Sequence, residues 1–129
     1  MNEKILVVED NPVNLELVTD LLEAAGFAVY AAATAEEGLR AARAISPALI
    51  LMDLSLPGMD GLAATQALRA DPATRHLPVV ALTAHAMPQD RERCLAAGMD
   101  DYLTKPLDAH SLANTIELHA LRSSVSLST

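Results

Sequence analysis

Aromatic rings are nearly absent from this chain: among 129 residues there is no tryptophan, one phenylalanine and two tyrosines. A surface that stacks bases or sugars on rings is therefore excluded. The core has to be aliphatic, drawn mostly from Ala, Leu and Val within a hydrophobic share of 51%. Cysteine is limited to Cys94, so no internal disulfide can form. Within RERCLAAG it reads as a small packed hydrophobe on a helix, and a reducing compartment is its natural setting. Long apolar runs are missing as well. The first, Ile5-Leu6-Val7-Val8, is stopped by Glu9 and Asp10, too early for a signal peptide or a membrane span. A soluble, cytoplasmic protein with no membrane contact is expected. Positive charge is in deficit, with 9 Lys and Arg against 17 Asp and Glu and a formal net charge of −8. That balance argues against direct nucleic-acid binding, since an acidic surface repels phosphates.

What is present is an alternation. Short apolar runs at 5–8, 27–32, 48–52, 77–82 and 101–104 are each followed by a helical pattern. Asn11-Pro12 can open the first helix and Gly26 close it. Thr34-Ala35-Glu36-Glu37 has the spacing of a capping box. The segment Leu56-Pro57-Gly58-Met59-Asp60-Gly61 is rich in turn formers and precedes a helix running to about Asp71. A further helix spans 88–97 and stops at Gly98, and Asp108 caps a last one carrying Leu112, Ile116 and Ala120. Runs without inside–outside alternation are buried on both faces, as in a parallel sheet covered by helices. One α/β domain over 1–122 is expected, with 123–129 a fraying tail. Met1 and the shortness of that tail favour a stand-alone domain over an excised one.

An open parallel sheet binds its ligand beyond the carboxyl ends of its strands. The residues expected there are Glu9, Asp10, Asp53, Thr83 and Lys105. Three clustered carboxylates repel one another and call for a counter-ion. Magnesium fits, because it takes hard oxygen ligands, keeps several waters and accepts a phosphate. Asp10 and Asp53 are the expected direct ligands, Glu9 acts through water, and the Ser55 carbonyl is a third protein ligand. Lys105 adds a fixed positive charge and Thr83 a short donor. Together they suit the equatorial oxygens of a phosphoryl group, with Asp53 as nucleophile.

The segments VVEDN, LMDLSLPGMDG, VVALTA and LTKPLD resemble, in order and spacing, the signature segments of two-component response-regulator receiver domains. DNPVNLELV and AGMDDYLTKP are most similar to stand-alone regulators of the DivK and CheY kind and to receivers attached to hybrid kinases. The resemblance implies a (βα)5 doubly wound, flavodoxin-like sheet in the order 2-1-3-4-5. It implies that Glu9 and Asp10 are the acidic pair, Asp53 the phosphoacceptor, Thr83 the switch hydroxyl and Lys105 the lysine of the site. Tyr102 matches an aromatic that turns inward on activation, and Lys105-Pro106 a peptide bond usually cis. The implied donor is a phosphohistidine on a sensor kinase or phosphotransfer protein, and the output is a downstream protein target. The chain would be a monomer or a phosphorylation-dependent dimer. It would be a signalling phosphoacceptor that assists its own phosphorylation and dephosphorylation, not a metabolic enzyme.

Blander readings exist for each group. Asp53 could solvate a strand terminus, Glu9 and Asp10 could be capping acids, Thr83 could satisfy backbone groups, and Tyr102 could only snorkel. His85 is either a tuner of phosphate lifetime or a solvated loop residue, and Met59, Met87 and Met99 read as gap fillers. Three rival functions fit less well. A pseudo-receiver needs none of the acid, hydroxyl and lysine groups. A flavin site would place Gly, Ser and Thr where EDNPVN stands. A phosphatase with an aspartyl nucleophile would carry a second acid two residues on, where Ser55 stands.

Overall fold

The computed structural model describes residues 3–54, 61–83, 88–104 and 107–121. Strands β3 (Leu49–Asp53) and β4 (Val79–Thr83) bury every residue, and β1 (Lys4–Val8) buries all but its first. Both faces of the central strands are covered, which is why their sequences show unbroken apolar runs. The edge strands differ. In β2 (Ala28–Ala32) Tyr30 and Ala31 face solvent, and in β5 (Asp101–Thr104) only Leu103 is buried. All pairings are parallel and the order is β2-β1-β3-β4-β5, as the resemblance implies.

Alternate residues of the strands feed two separate core layers. Ile5, Val7, Leu49, Leu51, Val80 and Leu82 pack with Val18 and Leu22 of α1 (Pro12–Ala24) and with Leu112 and Ile116 of α5 (Ala109–Ile116). On the opposite face, Leu6, Val8, Ile50, Met52, Val79 and Ala81 meet three helices. Ala42 comes from α2 (Ala35–Ile45), Ala64 and Leu68 from α3 (Gly61–Ala70), and Cys94 from α4 (Pro88–Ala96). Cys94 thus lies where a small hydrophobe belongs. Among the described residues no helix is long and apolar enough to cross a membrane.

The helix ends follow local chemistry. The Asn11 side chain accepts the amides of Val13 (2.9 Å) and Asn14 (3.2 Å). Thr34 Oγ1 accepts the Glu37 amide at 3.1 Å, and Glu37 reaches back to the Ala33 amide at 3.1 Å. Asp108 accepts the Ser111 amide at 2.7 Å. Gly26 and Gly98 close α1 and α4 at φ 95° and 102°, a conformation that costs other residues more.

Two boundaries depart from expectation by more than one residue. β4 begins at Val79, not at Leu77. The chain after α3 turns instead, held by the Thr74 hydroxyl donating to the Leu68 carbonyl at 2.8 Å, and Leu77 enters the core from that turn. The last helix keeps α-geometry only to Ile116, then widens into a π-helical turn, Glu117–Leu121. The tail 123–129 lies outside the described residues.

Candidate functional site at the carboxyl edge of the sheet

Strand register brings the acids together. Val8 is paired with Met52, so Glu9 and Asp53, one residue further on, stand side by side at the edge. Asp10 follows at the mouth of α1. One carboxylate oxygen from each of Glu9, Asp10 and Asp53 lies within 4.8 Å of the others. Glu9 and Asp53 are buried, at 1% and 2% exposure, while Asp10 is exposed. Glu9 Oε1 accepts the Asn11 amide at 3.1 Å, which holds that carboxylate against the start of α1.

Two buried carboxylates beside a third cost free energy unless positive charge compensates them. All the donors are oxygens, the set that magnesium prefers. Oxygens sharing one such ion stand at most about 4.2 Å apart, so small side-chain rotations would complete the cluster. The residues present therefore fit a hard divalent cation.

Asp53 is paired with Leu82, and Thr83, buried, ends β4 beside it. Thr83 is in turn paired with Thr104, the last residue of β5. The sheet thus aligns Glu9, Asp53 and Thr83 along one rim. Tyr102 pairs with Ala81 and packs, half-buried, against the core layer on the α4 face. Lys105 and Ser55 lie outside the described residues, as do Pro106, His85, Met59 and Met87. Met99 is buried in the core layer beneath α4.

One neighbour of the site escapes a reading of sequence alone. Gly61, the first residue of α3, lies directly on the backbone of Asp53. The only hint is that a turn-rich segment ends in glycine as a helix begins.

Three comparisons bear on this arrangement. Residues 5–117 match the family model described as the response regulator receiver domain. The chain is 47% identical over 116 residues to the sensor protein GacS of Pseudomonas syringae pv. syringae, a match covering 88% of this chain and only 13% of GacS. It is 40% identical over 117 residues to the polar-differentiation response regulator DivK of Brucella ovis, covering 91% of this chain and 95% of DivK. Its structure is similar to the receiver domain of a sensor histidine kinase from Pseudomonas aeruginosa, crystallised with a magnesium ion coordinated in the active-site cleft. The TM-score is 0.86 at 40% identity, over 93% of this chain and 98% of that one.

Proposed function

The chain belongs to the response-regulator receiver family of two-component phosphorelay signalling, and from that premise we propose that Asp53 is its phosphoacceptor. The observation that carries this reading is the meeting of Asp53 with Glu9 and Asp10 at the end of a buried strand. Asp10 and Asp53 would hold Mg²⁺ directly, with Glu9 acting through water and the Ser55 carbonyl as a third protein ligand. The magnesium-bearing cleft of the Pseudomonas aeruginosa receiver supports this assignment. When bound, the ion neutralises the crowded carboxylates and the charge on the phosphoryl oxygens.

The donor is a phosphohistidine of a sensor kinase or phosphotransfer protein. A carboxylate oxygen of Asp53 attacks phosphorus in line. The O–P bond forms as the P–N bond breaks, and the imidazole leaves with the electron pair and takes up a proton. The Thr83 hydroxyl donates to one phosphoryl oxygen and the Lys105 ammonium to another. Hydrolysis returns the carboxylate, with water attacking phosphorus and the same groups holding the phosphoryl oxygens.

Phosphorylation shifts a pre-existing equilibrium. Thr83 is drawn toward the new oxygens, Tyr102 turns inward, and the α4–β5–α5 surface offered to a downstream protein changes. Monomer, or a dimer formed on phosphorylation, and a cytoplasmic setting complete the proposal. Residues 1–122 form the working unit.

Acetyl phosphate with Mg²⁺ tests the reading. The intact mass should rise by one PO₃ group in the native chain and stay unchanged in Asp53→Asn or in excess chelator. Equal labelling of Asp53→Asn would overturn it.

A further inference from the structure

Gly61 owes its place to space, not to backbone freedom. Among the described residues the glycines at positive φ are Gly26 and Gly98, and Gly61 is not one of them. A methyl carbon placed on Gly61 would stand 2.6 Å from the carbonyl oxygen of Asp53, 3.1 Å from Met52 Cγ and 3.2 Å from Leu54 Cα. The worst of these contacts is with main chain, which cannot swing aside as a side chain can. The helix that follows the candidate site thus abuts the backbone that carries Asp53, with a hydrogen atom between them.

A second residue fixes that abutment. Thr65, fully buried, donates its hydroxyl to the Gly61 carbonyl at 2.8 Å. A threonine bonding back one turn restrains the helix's first turn. Ala64 and Leu68 anchor the same helix in the core layer that contains Met52. The end of β3 is therefore held by β1 on one side and β4 on the other, and by the first turn of α3 beneath the chain.

We propose that Gly61 and Thr65 are positioning residues for Asp53, setting where its carboxylate stands relative to Glu9 and Asp10. This rests on the assignment of Asp53 as phosphoacceptor. Neither residue touches the transferred group. They act through the Asp53 main chain, and a side chain at 61 pushes that main chain out of line with the other two acids. Metal binding and phosphoryl uptake fall together, while the core beneath α3 persists.

The test compares the full chain with Gly61→Ala, Thr65→Val, Thr65→Ser and Asp53→Asn. The readouts are the initial rate of PO₃ uptake from acetyl phosphate, the melting temperature in chelator, and the rise in melting temperature on adding Mg²⁺ alone. Misplacement of a reacting group by a fraction of an ångström predicts a loss of about tenfold in rate for Gly61→Ala and about threefold for Thr65→Val. In both, the Mg²⁺-induced rise should shrink, and Thr65→Ser should restore rate and rise together. A purely structural role would lower the melting temperature in chelator and leave the Mg²⁺ increment intact. That pattern, or wild-type uptake by Gly61→Ala, would overturn the proposal. If Gly61→Ala does not fold, wild-type uptake and Mg²⁺ response in Thr65→Val overturn it instead. If the native chain takes no label, or Asp53→Asn takes as much, the assignment of Asp53 fails, and the Mg²⁺ increments still judge Gly61.

Discussion

Asp101 of β5 receives His119 of the terminal π-helical turn, with Nε2 and Oδ2 3.0 Å apart. Its other carboxylate oxygen accepts the Tyr102 amide at 2.8 Å. One side chain thus ties the end of the last helix to the strand that carries the candidate switch aromatic.

Asp101→Ala removes both contacts. Because the pair is partly exposed, the expected loss is modest, about 1 kcal/mol. Urea denaturation measures it. His119→Ala should lose part of the same amount, and the two changes should be less than additive in the double variant.

Arg69 should matter far more than its place near the surface suggests. Its guanidinium donates to the carbonyls of Gly98 (2.9 Å), Arg75 (2.8 Å) and Leu77 (2.7 Å) and pairs with Asp100 at 2.9 Å. Asp100 in turn accepts the Val79 amide at 2.8 Å. Arg69→Ala should cost about 3 kcal/mol, since several partners lose a charged donor at once. Arg69→Lys should recover little, because an ammonium cannot reproduce the planar fork. Chemical denaturation of the three proteins checks both statements.

Stability should decline in acid for a traceable reason. The Ala73 amide, with help from Arg43, holds the Asp71 carboxyl below its ordinary value. The Ser111 amide and hydroxyl do the same for Asp108 at the start of α5. A carboxyl whose folded value is depressed stabilises the fold above the unfolded value. That contribution is lost as pH falls through the folded one. Urea midpoints should therefore drop as pH is lowered beneath the ordinary carboxylate range. Asp71→Asn and Asp108→Asn should each flatten the slope.

Asp10→Asn should separate fold from site. With one of three clustered charges gone, repulsion eases and the melting temperature in chelator should rise by about 3 °C. The additional rise produced by Mg²⁺ in the native chain should disappear. Differential scanning calorimetry with and without the ion reads both effects.

The central strands and the acidic rim were legible in sequence because their physics is local. Ile5 to Val8, and the runs ending at Asp53 and Thr83, are buried on both faces, so they stand out as unbroken apolar stretches, and the polar residues that end them must lie at one edge. Register then does the rest. Leu77 misled the strand boundary because a turn can bury an aliphatic side chain as well as a strand can. The π-helical turn left no trace, since its partner Asp101 is distant in sequence. Gly61 and Arg69 were illegible for a shared reason. Most of their partners are main-chain atoms of other segments, and sequence patterns display side chains only. The expected roles of Lys105 and Ser55 fall outside the described residues and rest on the sequence.

Chemical trapping locates the residue that takes the phosphoryl group. The native chain is treated with acetyl phosphate and Mg²⁺, then with borohydride, which reduces an aspartyl phosphate to homoserine, and its peptides are sequenced by mass spectrometry. Homoserine is expected at position 53 and at no other aspartate. Homoserine at Asp10 or elsewhere, with Asp53 intact, would contradict the assignment of Asp53.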